Sequence, residues 1–128
     1  MNYSQFKTKQ QKEVNAFPME FAFSEQQFAE VREKLGPGKL IRIGGTGGFI
    51  RAEDKNALQE MWDKHKREMK EFLSDDCNLI DAIRYELRNH EFCITGDPTE
   101  ACNALALDPV TDPRVASCLR AAIKLERW

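Results

Sequence analysis

The chain has 128 residues, 41% hydrophobic and 31% charged, which is typical of one globular domain with its own core. Its 19 basic and 21 acidic residues give a net charge of −2, which argues against direct nucleic-acid binding through a basic face. No apolar run is long enough to span a membrane, and residues 1–7 lack the features of a secretory signal. We therefore expect a single cytoplasmic domain over residues 1–128.

The first elements in the chain are predicted to be a helix and a strand. Apolar residues recur at near-helical spacing over residues 3–15, and Pro18 ends that helix. In residues 19–23 apolar side chains occupy alternate positions, which predicts a half-buried strand. Its inward face would hold Met19, Phe21 and Phe23.

A second helix is predicted to begin at Ser24. Ser24 and Gln27 match a capping box, in which each side chain satisfies a free backbone N–H of the first turn. The apolar stripe of this helix consists of Phe28, Val31 and Leu35. Gly36, followed by Pro37 and Gly38, ends it.

A glycine-rich hairpin is predicted next. Residues 39–43 and 49–51 read as two antiparallel strands, and four of the seven glycines lie between them, at positions 44, 45, 47 and 48. Residues 53–73 then give the clearest amphipathic helix and are expected to pack on the sheet. Its stripe consists of Leu58, Met61, Trp62, His65, Met69, Phe72 and Leu73.

The last third of the chain is predicted to be mainly helical. A helix is expected at residues 76–90, and shorter ones at 98–106 and 113–126, where Asp97-Pro98 and Asp112-Pro113 mark the starts. Residues 92–95 are either a fourth strand or an extended buried link. The predicted class is α+β: a small antiparallel sheet of three strands, or four with residues 92–95, covered by five to six helices.

The glycine run is the main candidate binding site. It lacks the Lys-Ser/Thr end of a P-loop, and no helix follows it directly, so P-loop and dinucleotide-binding motifs are excluded. Its backbone N–H groups can still hold an anion, with charge from Arg42 or Arg51. The candidate ligand-contacting residues are Arg42, Gly44, Gly45, Thr46, Gly47, Gly48 and Arg51. The favoured alternative is an ordinary mobile hairpin, since lone glycine motifs are weak evidence.

The two histidines are candidates for chemistry but are expected to be structural. His90 continues an apolar stripe and is followed by Glu91, which would orient it if it acted as a general base. No activated nucleophile is recognisable beside it, so no catalytic residue is assigned. A zinc site built from His90, Cys93 and Cys102, with Cys118 or His65, is disfavoured because its ligands do not come in close pairs. We expect no metal, no cofactor and four reduced cysteines, the fourth being Cys77.

Four blocks of the sequence resemble a family of small proteins of unknown function from Gram-positive gut bacteria and their phages. They are residues 3–7 (YSQFK), 21–28 (FAFSEQQF), 43–50 (IGGTGGFI) and 89–99 (NHEFCITGDPT). The resemblance implies a phage or mobile-element accessory protein and supplies no catalytic residue. Small phage proteins often block host defences, so it also suggests an inhibitor of a host defence protein.

Three functions remain open at this point. The first is a non-enzymatic protein that binds a protein partner, such as a host defence protein. The second is a binder of phosphorylated small molecules at the glycine hairpin, and the third is an enzyme built on His90 and Glu91. Trp128, the last residue, is expected to pack back on the domain or to anchor a partner.

Overall fold

The computed structural model describes residues 1–126, and Trp128 lies outside the described residues. The class is α+β, as predicted, with an antiparallel sheet of three strands. The elements of residues 1–126 are α1 (Tyr3–Ala16), β1 (Glu20–Phe21), α2 (Glu25–Leu35), β2 (Leu40–Ile43), β3 (Gly48–Arg51), a 3₁₀ turn (Ala52–Asp54), α3 (Lys55–Phe72), α4 (Asp76–Asn89), α5 (Phe92–Thr95), α6 (Thr99–Ala104) and α7 (Pro113–Glu126).

The chain divides into two compact units. The helical unit comprises Met1–Thr8 and the chain from Arg67 onward, and the sheet unit is Lys9–Lys66. The boundaries fall inside α1 and α3, so each of these helices contributes residues to both units. The single domain expected from chain length stays a prediction.

The helical unit is organised around α4. Leu79, Ile83 and Leu87 lie on one side of α4 and are fully buried, as their i, i+4 spacing predicts. Helices α5, α6 and α7 all contact α4. The Asp75 carboxylate caps α4 by accepting a hydrogen bond from the Asn78 N–H at 3.0 Å.

The sheet has the order β1-β3-β2, and both pairings are antiparallel. Its inner face packs on α2, whose Val31 and Leu35 form a buried cluster with Ala22 and Phe49. This cluster contains no residue of α3. Ile50, on the other face of the sheet, is also buried, and the predicted packing of the 53–73 helix on the sheet stays a prediction. The apolar stripe of α3 is less buried than expected, and Trp62 is 37% exposed.

The first strand differs from its prediction in length and in its buried face. It is shorter than residues 19–23 because Phe23 N–H donates to the Gln27 side chain at 2.7 Å, which commits Phe23 to the cap of α2. The buried residue is Ala22, whereas Phe21 and Phe23 are exposed. Alternating apolar positions show that a strand has two faces but not which face is buried. Here the face that carries Ala22 packs against α2.

Residues 92–95 form neither a strand nor an extended link. They make the single helical turn α5, which begins after Glu91 in the left-handed conformation (φ 59°) and ends at Gly96 (φ 70°). Glu91 breaks the path of α4, so the chain turns and buries Phe92 while leaving Cys93 exposed. Non-glycine residues seldom adopt this conformation, so no local pattern in the sequence predicts it.

Candidate binding groove at the glycine hairpin

The glycine run forms the loop of the β2–β3 hairpin. Ile43 pairs with Gly48, and residues 44–47 connect them. Thr46 holds this loop through its backbone N–H and its hydroxyl, which lie 3.3 and 2.7 Å from the Ile43 carbonyl oxygen. The same hydroxyl accepts a hydrogen bond from the Gly48 N–H at 3.1 Å. Thr46 therefore acts within the loop.

The glycines allow aromatic side chains to lie directly on the loop. Gly47 has φ 78°, and a Cβ at this position would overlap the ring of Phe23. A Cβ on Gly48 would lie 3.2 Å from Phe21 Cε1 and 3.5 Å from Met19 Sδ. Met19, Phe21 and Phe23 do lie on one side of the chain, as their alternation predicted, but that side lies against Gly47 and Gly48.

An open groove of about 680 Å³ lies beside the loop, wholly within the sheet unit. Phe23, Phe28 and Phe49 supply its aromatic walls. The Phe28 and Phe49 rings meet edge to face, with their centroids 5.1 Å apart. Arg42 on β2 and Glu25 in the first turn of α2 supply its charged groups.

Neither charged residue of the groove, Arg42 or Glu25, forms an ion pair within residues 1–126, and Arg42 instead contacts an aromatic ring. Its guanidinium carbon lies 5.6 Å from the centroid of the Phe49 ring, a cation–π contact. Within residues 1–126 no carboxylate forms an ion pair with it. Arg42 is therefore positioned over an aromatic wall with its hydrogen-bond donors available.

The groove gathers four of the seven predicted ligand-contacting residues: Arg42, Gly44, Gly45 and Gly47. Thr46 and Gly48 instead hold the turn through the hydrogen bond between them. Arg51 is engaged elsewhere, since its guanidinium lies 3.2 Å from Glu53 and 3.1 Å from Asp54.

The sequence missed the aromatic walls of the groove. Phe23 and Phe28 are predicted to lie on buried apolar faces, yet both are exposed and line the groove, and Phe23 is 78% exposed. Phe49 is buried in the sheet unit and also lines the groove. The available signal was the position of Phe23 immediately before the Ser24 cap. The chain leaves the sheet at Phe23, so the Phe23 side chain is not flanked by residues of neighbouring strands.

His90 lies at the C-terminal cap of α4, between two carboxylates. Its Nε2 is 3.3 Å from Glu86 Oε2, and its Nδ1 is 3.4 Å from Glu100 Oε2. Glu91, the partner suggested by the sequence, is exposed and forms no ion pair with His90. The geometry thus joins His90 to Glu86 and Glu100.

Glu86 is a buried carboxylate that the sequence did not reveal. It is 2% exposed, and its Oε1 accepts hydrogen bonds from the Tyr3 hydroxyl at 2.8 Å and from Lys7 Nζ at 3.2 Å. Burial raises the pKa of Glu86, but hydrogen bonds from Tyr3, Lys7 and Asn89 outweigh it and hold the pKa below its usual range. Glu86 is therefore an ionised, satisfied structural group of the helical unit.

The four cysteines comprise two buried and two exposed thiols. Cys102 and Cys118 are buried, and burial raises the pKa of each thiol, whereas Cys77 and Cys93 are exposed. Within residues 1–126, His90 and the cysteines do not come together as a set of metal ligands.

His65 in the sheet unit is hydrogen-bonded to Glu13, with its Nε2 2.7 Å from Glu13 Oε2. This hydrogen bond, helped by Lys64, keeps the pKa of Glu13 below its usual range.

Within residues 1–126, no helix combines the length and apolar composition needed to cross a bilayer.

Comparison with known proteins gives a family and no activity. Neither the curated proteins nor the solved structures include a match to this chain. A family model covers residues 2–125, nearly the whole sequence. The chain belongs to DUF7659, a family of unknown function.

Proposed function

We propose that this protein acts by binding a protein partner through the aromatic groove of its sheet unit. The observation that carries the proposal is the exposure of two phenylalanines that line the groove from neighbouring elements: Phe23 and Phe28 are 78% and 40% exposed. Contiguous exposed apolar side chains rimmed by polar groups are typical of protein interaction sites.

The chemistry of the groove fits an interface hot spot. Aromatic residues and arginine are enriched at the centres of protein interfaces, where burial away from water makes each contact strong. The groove combines phenylalanine rings with Arg42, which makes a cation–π contact with Phe49 and lacks a counter-ion among the described residues. A partner that covers the rings and offers a carboxylate to Arg42 would satisfy both features.

The more specific form of the proposal is a phage or mobile-element accessory protein that inhibits a host defence protein. Its support is the sequence resemblance described above. The enzyme alternative has less support, because His90 is held between Glu86 and Glu100 and its exposed neighbour Glu91 forms no ion pair with it.

Affinity capture from native cells tests the proposal, with the recovered protein then purified and titrated. We expect Phe23→Ser to weaken binding by at least tenfold, which corresponds to about 1.4 kcal/mol. Val110→Ser is the matched control, since Val110 is a 91% exposed apolar residue of the helical unit. Equal affinities for wild type and both variants would rule the groove out as the interface.

A phosphorylated small molecule such as a nucleotide is the second candidate ligand. The groove volume lies in the range of small-molecule sites, Arg42 offers a charge-assisted contact to phosphate, and the rings offer stacking surfaces for a base. A ligand at 100 times its dissociation constant would stabilise the fold by about 2.7 kcal/mol. A thermal-shift screen of nucleotides and cyclic oligonucleotides that gives no shift at millimolar concentration would eliminate this candidate.

A further inference from the structure

We propose that β2 accepts an extended acidic segment of the protein partner as an added strand, whose side chains enter the aromatic groove. The proposal rests on the protein-binding function above and identifies the kind of segment that is bound. Three features support it: an unpaired sheet edge, uncompensated positive charge along that edge, and a groove on the same face.

The outer edge of β2 carries unpaired backbone groups. Ala52 N–H donates to the Lys39 carbonyl at 2.8 Å, which makes Lys39 and Ala52 a hydrogen-bonded pair. Hydrogen-bonded and non-hydrogen-bonded pairs alternate along an antiparallel ladder. The backbone N–H and C=O of Ile41 therefore also face β3, and those of Leu40 and Arg42 point outward. Strand β2 ends the sheet order, and no group of residues 1–126 hydrogen-bonds to this outer edge.

The same edge is positively charged. Lys39 and Arg42 are both exposed, and neither forms an ion pair within residues 1–126. An unpaired edge is a template for another strand, and proteins often protect such edges with charge. Here the charges would repel a basic segment and attract an acidic one, so the edge selects the charge of its partner.

The groove lies where alternate side chains of an added strand would project. Cross-strand neighbours share a face, and Arg42 shares its face with Phe49, its partner on β3. A residue opposite Arg42 on the added strand therefore faces the groove, and so does the residue two positions away. An acidic residue at the first position would pair with Arg42, and an aromatic one at the second would contact Phe28.

The test uses an eight-residue capped peptide. Every other residue is threonine, and the positions between are alternately phenylalanine and glutamate, so that one face of the extended peptide carries only phenylalanine and glutamate. We expect the amide signals of Leu40 and Arg42 to shift on titration and their hydrogen exchange to slow by at least tenfold at saturation. The matched peptide with lysine for glutamate should bind at least tenfold more weakly. No binding at millimolar concentration, or no change at these amides, would overturn the proposal.

Backbone methylation separates strand addition from side-chain binding. Two versions of the peptide carry N-methyl groups on alternate amides, one set facing β2 and the other facing away. One version should lose at least tenfold in affinity while the other binds as before, and equal affinities would refute strand addition. This comparison uses the wild-type protein and is independent of any variant's folding.

Variants of the protein separate this proposal from the groove itself. Leu40→Pro removes an outward N–H without removing a ladder hydrogen bond, and we expect it to weaken peptide binding by at least tenfold. Binding lost in Phe23→Ser but unchanged in Leu40→Pro would overturn strand addition and keep the groove as the binding surface. Binding unchanged in both variants would overturn both proposals.

Discussion

The two units of this protein differ in what they do with their large side chains. The helical unit fully buries Leu79, Ile83 and Leu87 around α4, whereas the sheet unit leaves Phe21 and Phe23 on its surface. All of the exposed aromatic side chains in residues 1–126 belong to the sheet unit. The helical unit also exposes apolar side chains, such as Ile94 and Val110, but they are aliphatic. The difference is therefore that the sheet unit presents the exposed aromatic surface.

The same contrast holds for the charged groups. Glu86 of the helical unit is buried and accepts hydrogen bonds from Tyr3 and Lys7, so its charge is satisfied inside the fold. Arg42 of the sheet unit is exposed and lacks a carboxylate partner among the described residues. A buried, compensated charge contributes to structure, while an exposed, uncompensated one is available to a ligand.

The largest expected difference between the units concerns core and groove truncations. Ile83→Ala removes buried methyl and methylene groups and should destabilise the fold by about 2–5 kcal/mol. Phe23→Ala should change stability by no more than about 0.5 kcal/mol, because that side chain is largely exposed. Urea unfolding of both variants measures the two values, and a loss at Phe23 comparable to that at Ile83 would contradict the division.

The next effect concerns the hydrogen bonds that the buried Glu86 carboxylate accepts. Burial, followed by the hydrogen bond and the charge of Glu86, raises the pKa of Tyr3, so its hydroxyl stays protonated and donates. Tyr3→Phe leaves the buried carboxylate with one donor fewer and should cost about 1–3 kcal/mol. Combining Tyr3→Phe with Glu86→Gln in a double-mutant cycle isolates the pair, and additive losses would show that the two side chains are not coupled.

A smaller effect is expected in the glycine loop. Gly47→Ala places an alanine at φ 78° and displaces the Phe23 ring, so it should cost about 1–2 kcal/mol. Gly45→Ala is the matched control, because a Cβ there meets nothing within 4 Å and no left-handed φ is required. Thermal melts of the two variants should differ, and identical melts would mean that the loop does not hold Gly47 in this conformation.

The smallest expected effect is an acid-dependent loss of stability. The pKa of Glu86 in the folded protein is below its usual value of about 4.3, so its stabilisation is fully present above that pH. It is lost as pH falls through the lower folded pKa, with a slope of at most about 1.4 kcal/mol per pH unit.

Glu86→Gln should reduce the dependence of the unfolding free energy on pH in this acidic range. Denaturant titrations between about pH 2 and 5 measure that dependence. Some slope should remain from Glu13, Asp97 and Asp108, whose pKa values are also lowered. An unchanged dependence on pH in the variant would contradict the role given to Glu86.

Local signals predicted most of the fold. The Ser24 cap, the glycines around the hairpin and the Leu79–Ile83–Leu87 spacing each act within a few residues, so the sequence contains them directly. The length of β1 could not be predicted from such local signals, because it depends on the hydrogen bond that Phe23 N–H donates to the Gln27 side chain. The left-handed Glu91 likewise has no sequence signature, which is why α5 was missed.

The candidate site was predicted only in part, for a related reason. The glycines and Arg42 stand together in the sequence, so their shared location was foreseeable. Phe28 joins them only because α2 packs on the sheet, a contact distant along the chain. Tyr3 and Glu86 are 83 positions apart and polar, so periodicity carries no trace of their hydrogen bond.

Site-specific photo-crosslinking tests the central claim most directly, because it captures a partner that has not been identified beforehand. Benzoylphenylalanine is placed at position 23 in the sheet unit or at position 110 in the helical unit, and the protein is irradiated in its native cells. We predict a discrete protein adduct, identified by mass spectrometry, from position 23 and none from position 110. No adduct from position 23, or the same adducts from both positions, would contradict binding through the aromatic groove.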